Sequence, residues 1–195
     1  MDPKIYYDYP QNKGFFENLG SQAIDFIQTL VVFGAIFALV YIFIAQFHKV
    51  QGQSMYPTIH DGDFLVTEKI SYRLGEPKRG QIVVLKNPRD ESVDFIKRII
   101  AIPGDQIRIE QNKFFLNGGV LNEPYLPPGT KAVGESFLKD GDTYTLGPNQ
   151  YFVAGDNREN SSDSREFGPI GKEKLIGRGF FRYWPPQAIG LIINK

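Results

Sequence analysis

The sequence predicts a mainly β, antiparallel domain preceded by one N-terminal transmembrane helix. Three observations carry this expectation. The run "FIQTLVVFGAIFALVYIFIAQF" (26–47) contains no charged residue. The remainder breaks into short β-type segments punctuated by turns. The 195 residues suffice for one good-sized core with an appendage.

Residues 1–25 read as an N-terminal tail, aromatic and polar in "PKIYYDYPQNKGFF". Residues 26–47 follow as the anchor, since about 20 apolar residues cross a hydrocarbon core of roughly 30 Å. A buried core helix would be shorter and less uniformly apolar. A cleaved secretory signal is the sharper rival, but the leader is acidic, with Lys4 and Lys13 against Asp2, Asp8, Glu17 and Asp25. The nearest small-x-small pattern after the run, Gly52-Gln53-Ser54, would be cut at the serine of interest. Lys13 and Lys49 flank the run almost evenly, so charge leaves its orientation open.

Residues 48–195 read as the β-rich domain. Strands are expected at "DFLVTEKI" (63–70), "QIVVL" (81–85), "VDFIKRIIAI" (93–102), "QIRIE" (106–110) and "KFFL" (113–116). "YFVAG" (151–155), "LIGRGFFRYW" (175–184) and "IGLII" (189–193) complete the set. Turn signals such as "IPGD", "NGG", "LPPGT" and "KDGD" separate them, and residues 117–150 read as an irregular excursion. No soluble helix is required.

Composition excludes several function classes. Lysine plus arginine and aspartate plus glutamate each number 22, without the basic excess of a nucleic-acid binder. The absence of cysteine rules out a disulfide framework and a cysteine nucleophile. Two histidines make a histidine-rich zinc site implausible, and no metal or other cofactor is expected. His48, at the membrane boundary, and His60, in a surface turn, both read as structural.

Lys97 stands out within "VDFIKRIIAIPGD". Alternation puts it on one strand face with Phe95, Ile99 and Ala101, and sends Arg98 to the opposite surface with Ile96 and Ile100. A buried lysine loses its charge more readily and becomes a candidate general base. A lysine reaching out from a sheet edge is the competing reading. Ser54 in "QGQSMYPTIHDGD" poses the same choice between an activated nucleophile and a turn-capping hydroxyl. The polar stretch "GDNRENSSDSREFGPIG" (155–171) suits side chains held by mutual hydrogen bonds around a site, or an ordinary solvated loop.

"SMYPT" (54–58), "RGQIVVL" (79–85), "FIKRIIAIPGD" (95–105) and "GDNRENSSDSREFGPI" (155–170) resemble, in order, the blocks of type I signal peptidases. The resemblance spans the chain from residue 26 onward. It implies an antiparallel β catalytic domain of the signal-peptidase type and a serine endopeptidase with a Ser/Lys dyad. Ser54 would attack the scissile carbonyl and neutral Lys97 would take its proton. Ser161 falls on the serine that orients the lysine by a hydrogen bond. Asp163 and Arg165 fall on a supporting pair, and Gly155 and Asn157 on the loop that shapes the site. Ser54 and Gly52 fall on the oxyanion positions, where Gly52 lacks the hydroxyl some members carry. Val50, Met55, Ile59 and Ile96 would line shallow pockets for the small residues of an Ala-x-Ala site, with Phe95 as an apolar wall where tyrosine is common.

The implied partners are signal peptides of exported preproteins, the lipid bilayer and the secretion translocon. The implied location is the cell membrane, single-pass, with the N-terminus cytoplasmic and the catalytic domain outside; a thylakoid membrane is the internal alternative. Two other readings stay open: a self-cleaving Ser/Lys protease, which the anchor argues against, and a tethered β domain that binds extended peptides.

Overall fold

The computed structural model describes residues 15–192, and side chains from residue 19 onward. The chain divides into two compact units, up to Tyr41 and from Ile42.

In the first unit lies most of the helix α1 (Phe15–Phe43). Its stretch Leu19–Phe43, 25 residues, is long and apolar enough to cross a membrane. Phe26, Leu30, Phe33 and Phe37 are each more than half exposed, which no core helix would tolerate. The helix departs from the expected 26–47 at both ends. Gln46 and Phe47 belong instead to β1 (Ala45–Lys49), which pairs with β2 (Phe64–Glu68). Pairing with β2 satisfies backbone groups that would otherwise end the helix without partners. The remainder of the 1–25 leader lies outside the described residues.

The second unit holds two antiparallel sheets. Beyond β1 and β2, the chain forms α2 (Ile70–Leu74), β3 (Ile82–Lys86) and β4 (Asp94–Ala101). Next come β5 (Gln106–Glu110), β6 (Lys113–Leu116), β7 (Gly119–Val120) and β8 (Thr143–Thr145). After β9 (Gln150–Ala154) follow α3 (Ser164–Phe167), β10 (Ile170–Gly171), β11 (Leu175–Trp184) and β12 (Gly190–Leu191). Among the described residues the larger sheet runs β1-β2-β11-β3-β4-β9-β10, with β12 on β11. The smaller runs β7-β6-β5-β8 and comes from the middle of the chain. The expected strands are present, although the first ends at Glu68, with Ile70 in α2, and residue 193 of the last lies outside the described residues. The excursion 117–150 contains β7 and β8.

Both faces of β4 are buried, which changes the fate of Arg98. Ile99 packs with Val83, Leu85 and Val153 on one side, while Ile100 packs with Ile107, Phe114 and Phe152 on the other. Arg98 is therefore not on a surface: it is fully buried, and its guanidinium meets Asp156 through two hydrogen bonds of 2.8 and 2.7 Å. Gly80 O accepts a third, and the Tyr125 ring lies 3.8 Å from the guanidinium carbon. Ala101 also leaves the expected face. A register shift against β9 between Ile99 and Ala101 puts it in the same cluster as Ile100, as a bulge does when it adds a residue to one strand.

Removing one partner of a buried pair leaves an uncompensated charge. Arg98→Ala is expected to lower stability by about 3–5 kcal/mol, read as a shift in the denaturant midpoint of the full chain in detergent.

Candidate active site

β4 supplies the first half of the site because its two ends have different neighbours. β9 pairs with it only from Arg98 onward, where Arg98 faces Ala154. The chain then turns away at Gly155, so Asp94–Lys97 has β3 on one side and, among the described residues, no strand on the other. Lys97 is 3 % exposed on this open half. Its Nζ donates to Ser54 Oγ over 2.8 Å and lies 4.8 Å from the centre of the Phe95 ring. Loss of water pushes the lysine down to about 8; the Asp163 carboxylate opposes this and the Arg165 guanidinium adds to it.

Ser54 sits, half-buried, in the turn after β1. Its carbonyl accepts from the Asn157 backbone N–H at 3.0 Å, and Asn157 Nδ2 donates to Gln53 O at 3.1 Å. Met55, next in sequence, is buried with Val50, Ile59, Leu65 and Ile82, which anchors the turn from below. The loop after β9 thus holds the serine by its backbone and leaves the hydroxyl to Lys97.

Gly155 makes that contact sterically feasible. A Cβ there would fall well inside contact distance of Ser54 O and Ser161 Oγ. Its N–H donates to Asp163 Oδ2 at 3.0 Å, and its carbonyl accepts from Arg158 Nε at 2.9 Å. Asp163 and Arg165 form a buried pair: Nε reaches Oδ1 and Nη2 reaches Oδ2, each at 2.8 Å. Asp163 also caps α3 by accepting from the Arg165 N–H. Arg165 further donates to the carbonyls of Arg158 and Val133, so one guanidinium closes the loop on itself.

Ser161 departs from its expected contact. Its Oγ is buried and, among the described residues, makes no hydrogen bond, to Lys97 or to any other group. Gly52, at φ +94°, donates its N–H to Asp61 Oδ1 at 2.8 Å, so that N–H is not aimed at the Ser54 hydroxyl.

A cleft of about 640 Å³ opens at the Ser54–Lys97 contact, with Val50, Met55, Phe95 and Ile96 also in its wall. Ile59 is not in that wall: at 1 % exposure it packs behind Met55. His48, expected to be merely structural, does line the cleft, with Asp94 Oδ2 3.8 Å from its Nδ1. Burial holds the imidazole below its ordinary range, against the opposing pull of Asp94. Among the described residues no cluster of three metal-ligating side chains occurs.

Two ion pairs at the rear escaped sequence reasoning. Asp156, paired with Arg98, also accepts from Thr58 Oγ1 at 2.5 Å, four residues beyond Ser54. Arg158 pairs with Glu123, which accepts from Tyr125 as well. An arginine sharing a strand face with Ile96 and Ile100 was the available signal for the first pair, because such a charge requires a partner.

A serine hydroxyl against a buried, weakly basic amine, beside an open strand edge, is the equipment of a peptide hydrolase. The family model described as signal peptidase, peptidase S26, matches residues 23–184. A probable signal peptidase I-2 of Synechocystis sp. is 41 % identical over 165 residues, covering 78 % of this chain and 69 % of that protein. The signal peptidase I of Bacillus licheniformis is 33 % identical over 176 residues, covering 88 % and 94 %. Signal peptidase IB of Staphylococcus aureus is 31 % identical over 175 residues, covering 84 % and 91 %. A crystal structure of a signal peptidase I from Enterococcus faecalis aligns at a TM-score of 0.43 and 25 % identity, over 53 % of this chain and 96 % of that one. The chain belongs to the signal peptidase family, peptidase S26, and is a hydrolase of the serine endopeptidase class.

Gly155→Ala tests the close approach of the loop to Ser54. Displacing Ser54 by about 1 Å is expected to lower kcat/KM by roughly 10²-fold, with the near-UV circular dichroism of the domain retained.

Proposed function

We propose that the protein is a membrane-anchored endopeptidase that removes signal peptides from preproteins after an Ala-x-Ala sequence, with Ser54 as nucleophile and Lys97 as base. The observation that carries this reading is the 2.8 Å contact between Ser54 Oγ and the buried Lys97 Nζ. Membership of the signal peptidase family supports the substrate class. The apolar stretch Leu19–Phe43 supports the anchor. In this reading the N-terminus is cytoplasmic and the domain stands on the outer side.

The substrate lies extended along the open half of β4, bound through main-chain hydrogen bonds as an added strand. In this reading Val50, Met55, Phe95 and Ile96, which line the cleft, form shallow pockets that take side chains of alanine size and exclude larger ones sterically. Ser54 Oγ attacks the carbonyl carbon as its proton passes to neutral Lys97 Nζ. The resulting oxyanion takes a hydrogen bond from the Ser54 backbone N–H. Gly52 contributes no hydroxyl, and its own N–H is held by Asp61. Lys97 ammonium then returns the proton to the leaving amine as the C–N bond breaks. Water attacks the acyl-serine ester as Lys97 takes its proton, and Lys97 returns that proton to Ser54 Oγ as the ester C–O bond breaks and the carboxyl product leaves. Asp163, Arg165, Gly155 and Asn157 hold the two reacting groups in register. Ser161 is assigned the same positioning role from behind, through packing against Gly155.

Detergent-solubilised full chain is expected to cut a preprotein after its Ala-x-Ala sequence. Ser54→Ala is expected to remove that cleavage, a loss on the order of 10⁶ in kcat for a serine nucleophile. Equal cleavage by both proteins would remove Ser54 from the mechanism, and no cleavage by either would favour a tethered peptide-binding domain.

The base must be neutral to act. Below about 8 the neutral fraction of Lys97 falls tenfold per pH unit. The kcat/KM profile is therefore expected to rise with unit slope through neutral pH and to level off above about 8.

A further inference from the structure

In the strand order β2, β11 and β3 separate β1 from β4, yet His48 of β1 comes within 3.8 Å of Asp94 of β4. The larger sheet therefore curls until these two edges face each other across a slot. Lys97 and Ser54 meet at one end of it, Asp94 and His48 at the other. At about 3.3 Å per residue, the two meeting points lie roughly 10 Å apart along β4.

Side chains two apart in a strand share a face. Asp94 and Ile96 are such a pair on β4, and His48 and Val50 stand two apart on the facing segment. The slot wall has two levels: Val50, Met55 and Ile96 near the serine, then His48 and Asp94 beyond them. In an extended substrate the residues first and third before the cut likewise share a face. β9 takes the edge of β4 from Arg98 onward. With the first residue beside Ile96, the third therefore falls level with Asp94.

This outer level is polar, and its pair does not close on itself. A separation of 3.8 Å between His48 Nδ1 and Asp94 Oδ2 is too long for a hydrogen bond. Lys86 donates to the other carboxylate oxygen, Oδ1, at 2.7 Å. On the ring, Nε2 is buried without a partner among the described residues, so Nδ1 is the nitrogen turned to the slot. Burial lowers the imidazole below its ordinary range, against the pull of Asp94, and the Lys69 and Lys86 charges add to the lowering. A neutral ring beside a carboxylate carries its proton on the nearer nitrogen. Donor and acceptor thus stand side by side, and one oxygen can lie about 2.8–3.0 Å from both. A hydroxyl accepts from Nδ1–H and donates to Oδ2 at once; a methyl does neither.

We infer that His48 and Asp94 select a hydroxyl side chain, serine or threonine, at the third position before the cut, over the alanine that an apolar wall alone would favour. This rests on the proposed cleavage of preproteins in the cleft.

Synthetic peptides spanning one cut site would differ only at that third position, carrying serine, α-aminobutyrate or alanine. The α-aminobutyrate side chain puts a methyl of nearly the same size where serine has its hydroxyl. With the full chain in detergent, kcat/KM for serine is expected to exceed that for α-aminobutyrate by roughly three- to tenfold, as for a net neutral hydrogen bond. His48→Phe keeps a ring without the donor and is expected to bring the ratio to one or below. His48→Asn keeps an N–H close to the place of Nδ1 and is expected to retain part of the preference. Each ratio compares substrates on one protein, so a partial loss of folding cancels. A wild-type ratio of one would overturn the proposal, the gap then serving water only. A serine preference unchanged in His48→Phe would equally remove His48 from the selection. Failure of the wild-type chain to cut any of the three peptides would defeat the proposed reaction, and this inference with it.

Discussion

An amine kept out of water without a carboxylate of its own is the constraint on which the rest of the site depends. Lys97 is almost wholly buried, and the carboxylate that acts on it, Asp163, is already bound by Arg165 through two side-chain hydrogen bonds. Were Asp163 free to pair with Lys97, the ammonium would be stabilised and useless as a base. Arg165 prevents this both by occupying the carboxylate and by adding a like charge. Lowering the amine from 10.5 to about 8 costs the fold about 3 kcal/mol at any pH below 8. The cost shrinks as pH rises between those values, because there the unfolded chain binds more protons than the folded one. Apolar packing of β4 on both faces offsets it.

The loop after β9 converts that buried amine into a paired device. Gly155 lets two backbones approach more closely than any other residue would allow, and Asn157 grips the carbonyls of Gln53 and Ser54. Behind it, Arg98–Asp156 and Arg158–Glu123 fasten the same loop to β4 and to the 117–150 excursion. Such pairs are weak evidence for stability, because desolvation consumes most of their attraction. Their effect here is geometric: a loop without regular structure is held in one conformation beside Ser54.

Much of this was legible in the sequence, and the failures have a common cause. The strand 175–184 and the exceptional position of Lys97 follow from local pattern alone. Alternation also sent Arg98 to a surface, which fails because β4 has cores on both sides and its acid partner is 58 residues away. A bulge moved Ala101, and strand pairing with β2 took Phe47 out of the apolar helix. Ile59 moved from the expected wall to the core beneath the serine turn, and His48, expected at the membrane boundary, lines the cleft from the strand leading to that turn. Each of these depends on a contact distant in sequence, which no window along the chain contains. The family resemblance found the loop residues, but it could not show that Ser161 Oγ lacks a hydrogen bond among the described residues.

The protonation of Lys97 itself is the most direct test of the account. Selective ¹³C labelling of lysine ε-carbons in the detergent-solubilised chain, with Lys97→Met to assign the signal, gives its titration by NMR. The account predicts one lysine signal with a midpoint near 8. A Lys97 midpoint at the ordinary 10.5 would mean that the amine is charged and hydrated at neutral pH, and Lys97 could not be the base that activates Ser54.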